Sequence, residues 1–463
     1  MRTAILKALE SFFCTVKYKK VINGQINEVT TLYVNNSVNQ IGGEGDARPC
    51  ALPRACTRAP LPHVKLVTDG RKTWLVGEDG KSLGIFTKSQ ATFKNTGVER
   101  LHNFLLQDQA CKLLPKHRVC NCLKKRIDKT KDRLVKYNVD RKKAHWSNVQ
   151  RCGCLWIDPV CAKQITEGRR SELSAALERW KKEFLGGCLL LTLTFSHSLD
   201  MPLSASLLGL RDAYARFVGH RRVKEIFKAI GVENKIKGLE ILWGQNGWHP
   251  HNHILLLTKY TVLGFESYRD ELARLWINSC LKAGLRSPSM EHGLDIRDGS
   301  HAEEYISKYG LPDQNKWGLP EEITKGHMKK GRNGGFTPFD LLQLSIEDKP
   351  LYGGKLPSKL FQEFAFSIKG SSQLVWGRGL KKLLCIEEKT DQELAEETEK
   401  NAIELTSVAN YGFTLLTIFQ KRHVFLDCVA RDYEQKDGFS SANALLDELH
   451  FKYLEIQKSK QLE

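Results

Sequence analysis

The stretch from Gly238 to Thr258, GLEILWGQNGWHPHNHILLLT, constrains the fold more than any other part of the chain. It reads as two apolar strands joined by Gln245-Asn246-Gly247-Trp248, and Asn-Gly between strand-like runs is the signal for a tight type I′ hairpin. His249, His251 and His253 recur at a period of two, so pleating sends all three imidazoles to one face of the sheet. With Asn246-Gly247 as the two-residue loop, Gln245 pairs with Trp248, Leu242 faces His251 and Glu240 faces His253. Glu240 then shares the histidine face, and a carboxylate with His251 and His253 makes a donor set for a divalent metal. A slip of one residue would send Glu240 to the opposite face. The plainer alternative is a set of hydrogen-bonded structural histidines at the mouth of the buried run Ile254-Leu255-Leu256-Leu257, where unpaired polar groups are costly.

The chain has 463 residues, enough for two to four domains, with 71 Lys+Arg against 53 Asp+Glu and a formal charge of +18. That excess points to a polyanionic partner, nucleic acid before anionic membrane. No apolar run approaches a membrane span, and the N-terminus lacks a clear signal peptide. The 13 cysteines are odd in number and mostly scattered, which fits a reducing cytoplasm rather than a disulfide framework.

Residues 1–107 hold short strand-like pieces (TLYV, KTWLVG, KSLGIFT) and a turn-rich stretch at 48–62, and read as an accessory region without recognisable chemistry. A Cys-rich basic module follows at 108–170. Its clustered thiols, Cys120, Cys122, Cys152, Cys154 and Cys161, are candidate ligands of a structural zinc, the alternative being reduced thiols in a loop-rich segment. The spacing is irregular for zinc, because Asp158 stands where a Cys-x-x-Cys pair with Cys161 would need its first thiol. The Lys/Arg-rich run 124–143 is either a solvated helix face or a phosphate-contacting one.

Helical spacing runs to about residue 184, a buried strand is expected at 188–197, and helices at 203–230 and 265–283 flank the histidine hairpin. A short strand at 294–297 precedes SHAEEYISKYG, where Ser300-x-x-Glu303 is a capping box. In that helix Tyr305 and Tyr309 lie on one face, with Lys308 one turn from Tyr305. Ordinary aromatic packing would account for two such tyrosines taken alone. The basic, Gly-rich stretch at 325–335 reads as a loop that tracks a DNA backbone or as a solvated loop. Trp376 and Arg378 could stack on bases or pack, residues 387–404 read as acidic helix, and helical pieces are expected at 414–431 and 442–460.

TLTFSH, GWHPHNHILLL and YISKYG, in that order, resemble the three motifs of HUH-type rolling-circle replication initiators of bacterial plasmids. Residues 321–342 and 369–395 resemble the downstream part of the same proteins, and CGCLWIDPVCAKQI resembles their cysteine segment except at Asp158. The resemblance covers about residues 150–400. It implies an α+β HUH endonuclease fold, with a central antiparallel sheet, helices on one face and the histidine strand at its centre. The nuclease domain would span 171–345, followed by a mainly helical C-terminal region at 346–463. By the same resemblance His251 and His253 are metal ligands for Mg2+ or Mn2+, Tyr305 is the nucleophile and Lys308 its companion. His249 carries no ligand role, and Tyr309 is a packing aromatic or a second nucleophile. The implied partners are double-stranded origin DNA, a single-stranded nick site, and a host helicase and polymerase, with no membrane. The same motifs also suit a transposase, a mobilisation relaxase or a catalytically silent DNA-binding repressor, and an unrelated metal-dependent hydrolase shares the donor set alone.

Overall fold

The structure is a computed structural model. It describes residues 100–262, 264–299, 335–397 and 401–459 with their side chains, and the backbone alone of 13–22, 25–34, 65–68, 73–76, 82–84, 96–99 and 460–461. The chain divides into two compact units, Met1–Lys94 and Asn95–Glu463.

The first unit carries an antiparallel sheet of β1 (Phe13–Ile22), β2 (Gln25–Val34), β3 (Lys65–Thr68), β4 (Thr73–Val76) and β5 (Ser82–Gly84), paired in chain order. TLYV ends β2, and the cores of the other two expected strands are β4 and β5.

The second unit opens with α1 (Thr96–Leu113), which runs across the boundary expected at residue 107. The Lys/Arg-rich run that follows is not helical. It enters the hairpin β6 (Arg133–Asn138) and β7 (Lys143–Ser147), whose alternating burial puts Val135, Tyr137, Ala144 and Trp146 in a core. Next come α2 (Pro159–Phe184) and β8 (Gly187–Leu193). The expected helix at 203–230 is two, α3 (Leu203–Gly219) and α4 (Arg221–Ala229). The break falls at His220, whose extended backbone and ring Nδ1 cap the second helix by accepting from the Arg222 N–H.

The long hairpin β9 (Val232–Gly244) and β10 (Gly247–Thr258) leads to α5 (Arg269–Lys282) and β11 (Leu294–Asp298). Beyond it lie α6 (Pro338–Leu344), α7 (Pro357–Ser367), β12 (Leu374–Trp376), α8 (Leu380–Leu383) and α9 (Asp391–Glu396). Among its described residues the acidic stretch read as helix is α-helical in α9 alone, and its end enters β13 (Ala402–Val408), which joins the module sheet in the order β13-β6-β7. Its AIELTSV pattern holds β-branched residues that suit a strand. The chain ends in α10 (Asn410–Ile418), α11 (Arg422–Gln435) and α12 (Ser440–Gln461). No helix among the described residues is long and apolar enough to cross a membrane.

The architecture is therefore α+β. Its central sheet is antiparallel, in the order β11-β8-β10-β9-β12, and β10 is its middle strand. Helices cover both faces of β10, where one face was expected. Ile254 and Leu256 pack with Leu210, Phe217, Ile226 and Trp276 of the α3–α5 layer. Leu255 and Leu257 pack with Leu173, Leu177 and Trp180 of α2 and with Leu380 and Leu384. A third core joins β6 and β7 to α7, α10 and α11, centred on Trp146 against Phe413 and Phe425. Full burial on both faces explains why this strand reads as an uninterrupted apolar run.

The turn of the central hairpin differs from the expected one. Gln245 and Asn246 span it, Gly244 pairs with Gly247, and neither Gln245 nor Asn246 has positive φ. Gly247 follows at φ +86°, the conformational order of a type I turn closed by a glycine bulge rather than a type I′ turn. A Cβ on Gly247 would stand 2.6 Å from the Ser198 carbonyl oxygen. Gly247→Ala should therefore cost about 1–3 kcal/mol in urea unfolding through strain and collision. An unchanged midpoint would contradict this account of the turn.

His423 in α11 is buried, and burial together with Lys421, Arg100 and Arg422 pushes its imidazole down to about 3 from 6.5. Between those values the unfolded chain binds a proton that the folded chain refuses, so stability is lost as pH falls from about 6.5 towards 3. His423→Phe should make the loss of stability between about pH 6.5 and 5 shallower in urea titrations, and an unaltered slope would contradict the assignment.

Candidate metal centre and its surroundings

The site grows from the register of β9 and β10. His251 stands directly opposite Glu240, and His253 opposite Gly238. This is two residues from the expected pairing, an even shift, so Glu240 keeps the histidine face. Gly238 has no side chain, which leaves room for the Glu240 carboxylate to lie between both imidazoles. Glu240 Oε2 is 2.8 Å from His251 Nε2 and 2.8 Å from His253 Nε2.

All three side chains are buried, with relative exposures of 3% for Glu240, 7% for His251 and 5% for His253. Burial by itself would raise the Glu240 carboxyl. The charge of His251 and the hydrogen bonds from His251 and His253 outweigh it and hold Glu240 well below the usual carboxylate range. The second oxygen, Oε1, is buried and makes no hydrogen bond among the described residues. An unpartnered anionic oxygen in such a place is costly unless a cation or donor occupies the space beside it.

The far side of each ring is also set. His253 Nδ1 lies 3.1 Å from Thr192 Oγ1 of β8, and His251 Nδ1 lies 3.3 Å from the His249 carbonyl oxygen. A cation that displaces the Nε2 protons from Glu240 would meet two Nε2 lone pairs, with each ring held in place by its Nδ1–H donated to those oxygens. One carboxylate oxygen and two imidazole nitrogens, within 4.8 Å of one another, thus form a group able to hold a metal ion.

His249 belongs to a different contact. Its Nδ1 is 2.6 Å from His197 Nε2, and His197 Nδ1 is 2.7 Å from the Asn246 carbonyl oxygen. Burial, then the neighbouring charges of His251 and His197, push His249 down to about 3, so it is a neutral ring at ordinary pH. TLTFSH opens on Thr192 and closes on His197, neither of which the sequence marks as a site residue; Thr192 lies in β8, which pairs with β10, and His197 lies beyond the end of that strand.

Comparison with known proteins bears on this arrangement. The chain is 29% identical over an aligned length of 297 to "Protein rep" from Streptomyces lividans, an alignment that covers 51% of this chain and 64% of that protein. The chain is similar to a rep protein. The resemblance drawn from the ordered motifs is thus shown at the level of sequence. A second match, 30% identical over 132 residues, covers 23% of the chain and 30% of "Neomycin resistance protein" from Streptomyces cyanogenus. The matched stretches span less than two thirds of either relative. No family profile and no solved structure matches the chain.

Other residues expected at the site of a rep-like chain are placed unevenly. Tyr305, Lys308, Tyr309 and the basic loop 325–335, apart from Gly335 itself, lie outside the described residues. Trp376 is half-buried on the Leu255–Leu257 core with Lys381 Nζ 5.2 Å from its ring centre, and Arg378 is exposed.

The five candidate zinc cysteines separate. Cys120 is joined to Cys111 in a disulfide, an exception to the fully reduced set expected. Cys154 turns to Arg118, whose Nε donates to its sulfur at 2.7 Å. Cys122, Cys152 and Cys161 converge, and the fourth member of their group is Asp158, the residue read as a departure from the pattern.

Replacing Glu240 by Gln keeps the shape and removes the charge between the imidazoles. Glu240→Gln should bind Mn2+ at least about tenfold more weakly in calorimetric titration, in line with the loss of one charged ligand. Wild-type affinity would show that Glu240 holds no cation.

Proposed function

We propose that this chain is a plasmid rolling-circle replication initiator that nicks single-stranded origin DNA through a tyrosine nucleophile and rejoins strands at termination. The observation that carries the reading is the buried Glu240–His251–His253 group, formed by β9 and the middle strand β10, in a chain similar to a rep protein. A catalytically silent repressor would have no need to keep a carboxylate and two imidazoles converged in a dry site, where each is costly.

In this reading Glu240, His251 and His253 hold Mg2+ or Mn2+, which when bound supplies Lewis acidity towards a phosphate oxygen. The carboxylate gives the donor set its negative charge and suits a hard cation, while Thr192 and the His249 carbonyl fix the ring orientations. Tyr305 attacks the scissile phosphorus through its phenol oxygen. The new bond is a 5′-phosphotyrosine ester, the bond to the 3′ oxygen breaks, and that oxygen takes up a proton to become the 3′-hydroxyl primer. The phenol loses its proton to base. An ordinary phenol, with pKa about 10, is mostly protonated at neutral pH, so the positive charge of Lys308 favours the reactive form. The ester conserves the energy of the broken bond, so rejoining needs no nucleotide cofactor. A formal charge of +18 suits binding of the DNA backbone, and a host helicase and polymerase would extend the primer.

Incubating the protein with an oligonucleotide labelled 3′ to the nick should give a covalent protein–DNA adduct. Tyr305→Phe should abolish the adduct while duplex-origin binding survives, and Tyr309→Phe should leave the first cleavage near wild type. Loss of the first cleavage in Tyr309→Phe with retention in Tyr305→Phe would reverse the assignment. No adduct from the wild-type chain would reject the nicking reading.

A further inference from the structure

A second buried group of donors lies away from the histidine strand. Cys122 ends a short 3-10 turn, Cys152 lies in the loop after β7, and Asp158 and Cys161 sit at the start of α2. Cys122 Sγ is 3.5 Å from Cys161 Sγ, Cys152 Sγ is 3.7 Å from Cys161 Sγ, and Cys152 Sγ is 3.1 Å from Asp158 Oδ2. All four residues are buried, and their donor atoms lie within 4.8 Å of one another.

We propose that Cys122, Cys152, Cys161 and Asp158 bind a single structural zinc ion, with the Asp158 carboxylate as the fourth ligand in place of a thiolate. The spacing fits one ion. A tetrahedron with Zn–S bonds of about 2.3 Å has sulfur–sulfur edges of about 3.8 Å, close to the two distances here. An iron–sulfur cluster would hold its thiolates farther apart, around a core of several atoms.

The surroundings are arranged for an anionic, closed centre. Asp158 is 0% exposed and divides its oxygens. Oδ1 caps α2 by accepting from the Val160 and Cys161 N–H groups, while Oδ2 faces the thiols. Gln107 Nε2 donates to both oxygens, at 3.2 and 2.9 Å, which fixes the carboxylate plane. The Cys152 N–H points at Cys122 Sγ at 3.4 Å. Cys161 stands in the first turn of a 26-residue helix, where the backbone field favours a thiolate. Three thiolates and a carboxylate outweigh a divalent ion by two charges. The buried Arg422 guanidinium, held by the Leu123 carbonyl and Asp108, and Arg118 on the Cys154 side both offset that excess. A purely apolar thiol cluster would gain nothing from a buried carboxylate turned towards it.

The ion would tie the loops around β6 and β7 to α2, which itself carries Leu173, Leu177 and Trp180 onto the histidine sheet. The proposal is independent of the nicking reaction.

The test uses the full chain purified under reducing conditions and exchanged with Co2+. Among the described residues this is the one candidate metal-binding group with thiols, so thiolate-to-cobalt charge transfer in the near ultraviolet reports on it and not on the histidine site. The proposal expects that band in the wild type and in Cys154→Ser. It expects a gain of about a third in Asp158→Cys, as three thiolates become four. Asp158→Asn keeps the helix cap but weakens the ligand, and should lower zinc affinity at least about tenfold against a chromophoric chelator. Absence of the band in folded wild-type protein would overturn the proposal, as would a Cys122–Cys161 disulfide found by mass spectrometry in the same preparation. Unchanged zinc affinity in Asp158→Asn, or loss of the band in Cys154→Ser, would remove Asp158 from the ligand set.

Discussion

The hydrogen-bond ladder between β9 and β10 sets Glu240 opposite His251, and the candidate metal site depends on that pairing. A carboxylate at 3% exposure is tolerable because two imidazoles meet the same oxygen. Shift the ladder by one residue and Glu240 would enter the apolar layer against α3–α5, leaving His251 and His253 without their anion. Gly238, opposite His253, puts no side chain of its own beside that imidazole.

The scaffold holds that ladder rigidly. β10 is the middle strand, paired on both edges by β8 and β9 and packed on both faces by helices. β8 contributes more than pairing, since Thr192 lies opposite His253 and supplies the oxygen that orients its ring. Thus the motif around TLTFSH serves the site through its backbone register as well as through its side chains. The covered faces also exclude water from the donors, which strengthens every electrostatic contact among them.

Much of this was legible in the sequence because it rests on periodicity. A period of two placed the histidines on one face, and parity kept Glu240 with them although the register was two residues off. The turn was misjudged because Asn246-Gly247 carries a strong local preference, whereas Gly247 is needed where the chain passes close to Ser198. Strand β13 was hidden by the charge of the segment around it, and its place is decided by pairing with β6, a contact across more than 250 residues. Asp158 was discounted by a pattern that counted thiols, although carboxylate oxygen is also a zinc ligand. The partnership of Cys120 with Cys111, and the turn of Cys154 towards Arg118, depend on loop paths that spacing does not encode. The tyrosine motif rests on the sequence alone, since those residues lie outside the described part of the chain.

In the proposed function Glu240, His251 and His253 together hold one divalent cation. Crystals grown with Mn2+ and measured at wavelengths either side of the manganese absorption edge test it directly. A single anomalous peak is expected, bounded by a Glu240 oxygen, His251 Nε2 and His253 Nε2. A peak held instead by His197 and His249, or no peak between β9 and β10 at saturating Mn2+, would contradict it.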